Sequence, residues 1–520
     1  MAELAAGGDF TTHHYELAYG YDRNDRRRWM KHPAALAPVI GGTRRDSVAY
    51  SYTTHGALET VRDVTGNVFR YHYDAEGRLD TLTAPGEAHE AFRYDADDRL
   101  VRRWDYAKHY RPLVGGGTRD STLHWDMLDH EARGKVVRAV TTIDTTGLLL
   151  FSQHSQGYAA LGAVVRSWYR NEVYPFQRSD DVYEVDALGN RRREYPVGAA
   201  NSSADRNSSY RAGTGRLWTT LPVVGGGSTE ETLYDAAGNR ELYLMNEGGT
   251  SVVERARYYY GADDQLRIAD RRSCVGNLAG TACTTATPAY DRRGAFEEYR
   301  YDALGRRVWR RSRQEEATTA CQPTAGCLNF VERIVWDGDQ LLYEIRAPGG
   351  SGASATTLER DAGLAGTSGP EGEQYFGRVA YMHGLGIDRP LGVMRLDYSQ
   401  TYAAPLVVVP HTTWLGRYDA GTFADGIGTP STIAPVPPGH PYCQNPASNA
   451  TCVLIYWPGG QRNLFLNNTP PQLDVPPSWF GSLILDQRDG SGQYYRRNRY
   501  YDPASGRFTQ EDPIGLAGRD

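Results

Sequence analysis

The feature that most limits what this chain can fold into is a short unit, aromatic-Asp-x-x-Gly-(Asn/Arg), that returns along its length. Clear copies are Tyr73-Asp74-Ala-Glu-Gly77-Arg78, Tyr234-Asp235-Ala-Ala-Gly238-Asn239 and Tyr301-Asp302-Ala-Leu-Gly305-Arg306. Softer copies lie at Tyr94-Asp95 to Arg99, Val185-Asp186 to Asn190 and Tyr260 to Gln265. Degenerate ones lie at Asp63-Val-Thr-Gly66, Tyr290-Asp291-Arg-Arg-Gly294 and Trp336-Asp337-Gly338. The aspartate carboxylate can accept backbone N–H bonds two residues on, closing an Asx turn. The glycine supplies the positive φ that reverses the chain. Steps of 11 residues (Asp63 to Asp74, Asp291 to Asp302) and 21 residues (Asp74 to Asp95) suit successive strand-turn-strand passes of one sheet. A lone hairpin cannot bury its apolar side, so the passes must stack.

Composition agrees with an all-β chain. There are 36 Tyr, 57 Gly and a mean hydropathy of -0.58, and long apolar stretches of helical period are hard to find. The net charge of -6 opposes a nucleic-acid binder, which needs a concentrated basic face. The cations are nearly all arginine, with lysine only at Lys31, Lys108 and Lys135, and arginine suits pairing with acids and stacking on tyrosine. Apolar runs such as Leu406-Val-Val-Val409 are far too short to span a membrane. Met1 to Asp9 has no basic flank or apolar core, unlike a secretory leader.

The six cysteines fall as local couples, Cys274/Cys283, Cys321/Cys327 and Cys443/Cys452, with no Cys-x-x-Cys knuckle for zinc. Short cystine loops are the expectation, against six unrelated thiols, and imply an oxidising destination. His124-Trp-Asp126-Met-Leu-Asp129-His130-Glu131 gathers ligand-type residues without the i, i+4 histidines of a helical zinc site, and reads as a solvated turn. Gly115-Gly-Gly117 and Gly225-Gly-Gly227 lack the Gly-Lys-Ser/Thr of a phosphate cradle. No cofactor or metal is expected.

The repeated units resemble the Rhs/YD-repeat proteins, which include bacterial polymorphic toxins and the C subunits of insecticidal toxin complexes. Further segments carry the resemblance: Trp336 to Glu344, His383 to Leu391, Trp479 to Asp489, and the terminal Arg497-Asn-Arg-Tyr-Tyr-Asp-Pro-Ala-Ser-Gly-Arg507 running into Asp512-Pro-Ile-Gly-Leu516. The resemblance implies an all-β fold, a long spiralling antiparallel sheet of YD-repeat hairpins forming part or all of a hollow shell around a toxic polypeptide. Composition itself shows only a repeated sheet compatible with two wetted faces. Three regions are expected: repeat-bearing sheet at 1–345, its continuation with long irregular loops at 346–475, and the repeat-associated core at 476–520.

Members of this family release the C-terminal toxin through an aspartyl-protease-like site, so the resemblance implies candidate catalytic residues here: Arg488, Asp489 and Asp512, with Asp502 as a further carboxylate. Two carboxylates held close cannot both ionise, so one can polarise a carbonyl while the other activates water. Which two would meet stays open, and the plainer reading makes Asp489 and Asp502 turn caps. The family continues to a second Asp-Pro-x-Gly-Leu where it is cut, whereas this sequence stops at Arg519-Asp520. The expectation is therefore a scaffold without toxin or cleavage site, which does not cut itself. Its expected partners are a cargo polypeptide and a second, shell-completing chain, with a secreted or cell-surface destination. Two rival functions are an extracellular carbohydrate or cell-surface binding module, and a protease acting on a segment supplied by another chain.

Overall fold

The computed structural model describes residues 15–348 apart from several loops, then 377–385, 390–396, a few residues at 406–408, 423–424 and 455–456, and 489–510 apart from Asn498, Pro503 and Ala504. Every regular element among these residues is a β-strand. Twenty-seven strands form one sheet. It runs from Ala18–Tyr21 to Leu406–Val408, and each strand pairs antiparallel with the next along the chain, apart from the small Val39–Ile40/Thr43–Arg44 ladder. The ladder continues past residue 345 through Gln340–Pro348, Gly377–His383 and Pro390–Leu396.

The Tyr-Asp units make the turns as the sequence suggests. Asp74 Oδ1 accepts from the N–H groups of Glu76 (3.1 Å) and Arg78 (2.8 Å), and its Oδ2 takes the Arg78 guanidinium at 2.7 Å. The same bonds recur at Asp95, Asp186 and Asp302. Gly77 has φ +82°, a conformation that costs an L-residue roughly 1–2 kcal/mol. In two of the three softer units aspartate takes that place, with φ 59° at Asp98 and 56° at Asp264. Asp22 builds another such turn, with Asp25 at φ 57°, that the sequence reading passed over.

Because each unit joins an outgoing strand to a returning one, these turns share one edge of the ribbon. The turn at Asp63 does not belong with them. One strand, Val68–Tyr73, separates it from Asp74, so it lies on the opposite edge. A step of 11 residues is thus a single strand, and 21 residues is a full hairpin. Strand ends on that opposite edge border the long segments 276–293, 316–329 and 349–376.

The unit's tyrosine has a part that composition alone did not reveal. Its hydroxyl donates to the carbonyl of the first strand residue after the preceding turn: Tyr73 to Leu58 (2.7 Å), Tyr94 to Leu79 (2.9 Å), Tyr301 to Leu266 (2.8 Å). Trp336 Nε1 does the same for Arg307 at 2.8 Å. The turn arginine of one unit also stacks on the tyrosine of the next, as Arg78 does on Tyr94 at 5.0 Å. Successive turns are stitched together along the edge.

The ribbon returns upon itself. Asp337 accepts from Tyr19 (2.8 Å) and pairs with Arg27 (2.6 Å), more than 300 residues earlier. Met30, Val48, Val61, Phe69 and Tyr71 of the first strands pack with Val335, Tyr343, Ile345, Ala380 and Met382. The alternate residues of those later strands, Ile334, Trp336, Val379 and Tyr381, pack on the other face against Tyr495 and Tyr500. Phe330–Asp337 is accordingly buried at every position, unlike the half-buried alternation of Val68–Tyr73. Two wetted faces therefore do not hold in this part of the sheet: both of its faces are covered.

His124, Trp125, Asp126, Asp129 and His130 lie in the strand Thr118–His130 and not in a turn. Cys283, Cys321, Cys327, Cys443 and Cys452 lie outside the described residues. Cys274 is placed only by its backbone, opposite Val253 in the strand Leu266–Val275.

Candidate functional site

Residues 489–510 form a strap lying across the large sheet. Asp489-Gly-Ser-Gly492 is another Asx turn, in which Asp489 Oδ1 accepts from the Ser491 N–H (3.1 Å) and hydroxyl. Three short strands follow, Tyr494–Arg496, Arg499–Asp502 and Arg507–Phe508.

Two buried ion pairs pin the strap. Asp489 Oδ2 meets Arg307 Nη1 at 2.7 Å with both side chains 1% exposed, and Asp502 Oδ2 meets Arg240 Nη1 at 2.7 Å. Polar contacts surround each pair: the Tyr495 hydroxyl accepts from the Arg307 N–H (2.8 Å), Arg307 reaches Tyr500 (3.2 Å), and Tyr500 meets Tyr301 (2.9 Å). The Arg240 N–H donates to the Thr509 carbonyl at 2.8 Å. Burial alone would ease the proton off both arginines. Tyr500 and Asp489 around Arg307, and Tyr258 and Asp502 around Arg240, more than reverse this. Burial pushes the Tyr495 hydroxyl up to about 12.

A third acid comes from the sheet. Glu297, 1% exposed, lies directly under the strap backbone: a Cβ on Gly490 would fall 2.7 Å from its carboxyl carbon. Only glycine fits that approach. Tyr299 donates to Glu297 at 2.6 Å, while Arg310 stands 3.8 Å away. Burial, then the neighbouring Asp489 charge, pushes this carboxyl above the ordinary glutamate range, against the opposing pull of Arg310 and Tyr299.

The strap spans many strands. Arg507 reaches Asn190 and the Gly215 carbonyl (3.1 Å), Gln510 reaches the Asp264 carbonyl (2.5 Å), and Arg497 reaches the Asp339 carbonyl (2.5 Å). On a flat ribbon at ~4.8 Å per strand, Asn190 and Asp339 would stand roughly 45 Å apart. Between Arg497 and Arg507 lies one four-residue strand, Arg499–Asp502, about 14 Å at ~3.4 Å per residue, and even with an extended arginine at each end this falls short of that span. The ribbon is therefore concave towards the strap.

Of the sequence candidates, the structure places Asp489 and Asp502 in the strap, each on its own arginine. Both are turn formers and ion-pair partners at once, since Ser505 donates to Asp502 at 2.8 Å. Arg488 and Asp512 lie outside the described residues. The sheet residues Arg240, Arg307, Glu297 and Tyr299 were missed, although the arginines had left a signal. The first strand residue after a unit is leucine at Leu58, Leu79, Leu100 and Leu266, but arginine at Arg27, Arg191, Arg240 and Arg307. Arg27 pairs with Asp337, and the other three arginines meet the strap, Arg191 against Gly506.

No family model matches the chain. It is 27% identical over 523 residues to the protein named "Probable deoxyribonuclease RhsA" of Dickeya dadantii, an alignment covering 98% of this chain and 28% of that protein. With "Toxin protein Tse5" of Pseudomonas aeruginosa it shares 24% over 526 residues, covering 86% of this chain and 37% of Tse5. Near-complete alignment to an Rhs protein joins a structure in which the Tyr-Asp units build one continuous sheet. In sequence and in its Tyr-Asp turns the chain is similar to the Rhs/YD-repeat proteins. It spans about a third of the length of these relatives. A crystal structure of TcdB2-TccC3 overlaps 99% of it and 32% of that chain at 13% identity, with a TM-score of 0.28, too low to bear on its architecture. Among the described residues of the chain, no helix is long and apolar enough to cross a membrane.

Proposed function

We propose that this chain is wall material of a shell that encloses a polypeptide cargo, and that the strap anchors the chain on the inner surface. The observation that carries this reading is the concavity: a sheet curled around a segment of its own chain and clamped to it by Arg240–Asp502 and Arg307–Asp489. Such a wall holds a guest by excluding other contacts and by many polar ones, for which its solvent-facing arginines, tyrosines and acids are suited. The relatives named as a deoxyribonuclease and a toxin fit a cargo that is toxic and exported. In this reading residues 1–475 are wall and 476–520 the anchoring core. Asp489 serves first as an anchor, and any peptide-cleaving chemistry with Asp512 is built upon that anchored position.

The test joins an unstructured reporter segment after Asp520, or before Met1, and follows its digestion by a non-specific protease. The reporter placed after Asp520 is expected to survive at least tenfold longer than the one before Met1. Asp489→Asn with Asp502→Asn should remove the difference. Equal digestion of both reporters in the unsubstituted chain would refute enclosure.

A further inference from the structure

Glu297 stands apart from the other buried acids of the strap seat in how it is partnered. Arg307 is committed to Asp489 at 2.7 Å, and Glu332 takes Arg310 at 2.9 Å and Arg346 at 2.8 Å. Glu297 keeps a hydroxyl, Tyr299, and an arginine at 3.8 Å that already has a closer partner. Above it, with no side chain between, runs the strap backbone at Gly490, one residue from the Asp489 carboxylate. A second negative charge here would face Asp489 across a buried seat.

We propose that Glu297 is a proton-operated latch: the strap seats on the sheet while Glu297 carries a proton and loosens when that proton leaves. The groups facing Glu297 are Tyr299 on its own strand, Arg307 and Arg310 on the next, Glu332 beyond them, Arg271 with its partner Glu254 on the other side, and Asp489 and Tyr500 from the strap. Burial under the strap and the Asp489 charge together raise its carboxyl above the ordinary range. Undocking admits water, removes Asp489 and returns the carboxyl towards its ordinary value. An acid raised in the docked state favours docking at low pH, and the advantage is lost as pH rises through the raised value. The latch concerns the strap alone and holds whether or not the shell contains a cargo.

The test is hydrogen exchange of residues 489–510, corrected for intrinsic exchange, from about pH 5 to 9, with the strand Leu58–Arg62, which does not touch the strap, as internal control. In the unsubstituted chain, protection of the strap is expected to fall by up to about tenfold per pH unit between the ordinary glutamate range and the raised docked value, and to level off above it. Glu297→Gln, which keeps the shape and never ionises, should flatten that profile and leave the control unchanged. Matching profiles for the two proteins, or protection that rises with pH, would overturn the latch. A second measurement needs no variant to fold: infrared spectra of the unsubstituted chain should retain a protonated-carboxyl band at pH values where exposed glutamates are ionised. Its absence would also overturn the proposal.

Discussion

Replacing Arg307 with alanine tests how the strap is held. The guanidinium is 1% exposed, bonds Asp489 at 2.7 Å and Tyr500 at 3.2 Å, and lies over the rings of Tyr299 (5.2 Å) and Tyr495 (4.6 Å). Its removal leaves Asp489 buried without its cation, a loss of roughly 3–5 kcal/mol for a broken buried pair. Since ~1.4 kcal/mol is a factor of ten, the open-strap population should rise by about a hundredfold to a few thousandfold. The exposed pair Arg78–Asp98, with Asp98 74% exposed, is a fair control, because such pairs contribute about 0–1 kcal/mol. A long ladder of hairpins need not unfold in one step, so a global midpoint would mix several events. Hydrogen exchange resolved to residues 494–510 and to Leu58–Tyr73 separates them. The expected result is lost protection in the strap, little change in the early strands, and partial recovery in Arg307→Leu with Asp489→Leu. If Arg307→Ala and Asp98→Ala loosen the strap equally, or the double variant is no better than the single one, the ion-pair clamp is wrong.

Tyr73→Phe deletes the hydroxyl bond to Leu58 at 2.7 Å and should cost about 1 kcal/mol at that hairpin by local exchange, while Tyr21→Phe, 56% exposed, should cost nothing measurable. Gly77→Ala meets no atom within 4 Å, so its expected loss of about 1 kcal/mol is purely conformational. Gly157→Ala, where φ is not positive, should be milder. The side-chain bond from Arg26 lowers the Asp22 carboxyl, and that from Asn190 lowers Asp186. A depressed carboxyl stabilises above its unfolded value and loses this as pH falls through the folded one. The turn edge should therefore persist below the ordinary aspartate range in a carboxyl NMR titration.

Much of the sheet could be read from the sequence because the turn is local chemistry: Asp74 and Gly77 act within four residues of each other. The edge on which a turn falls is less local. Asp63 looks like a unit, yet strand parity sends it to the other side. Tyrosine's bond to the neighbouring turn joins residues about fifteen apart, and only pairing reveals it. The strap seat was least legible, since Glu297 and Asp489 meet only once the sheet has curled. Even so, arginine in place of leucine at 240 and 307 was a visible irregularity whose meaning awaited its partner. The cysteine couples and the Arg488–Asp512 chemistry stay as the sequence left them, outside the described residues.

The stitching between turns implies a modular way to change size. Each unit needs only its predecessor's carbonyl and arginine, so a hairpin of the leucine type can be added or lost without disturbing the rest. One more hairpin lengthens the ribbon by ~10 Å and, through its circumference, widens whatever the ribbon surrounds. The arginine-bearing units that meet the strap are under a different constraint, since their spacing must match it. A ribbon of this kind can therefore change its length by whole hairpins, provided the few positions that grip the strap keep their places relative to one another.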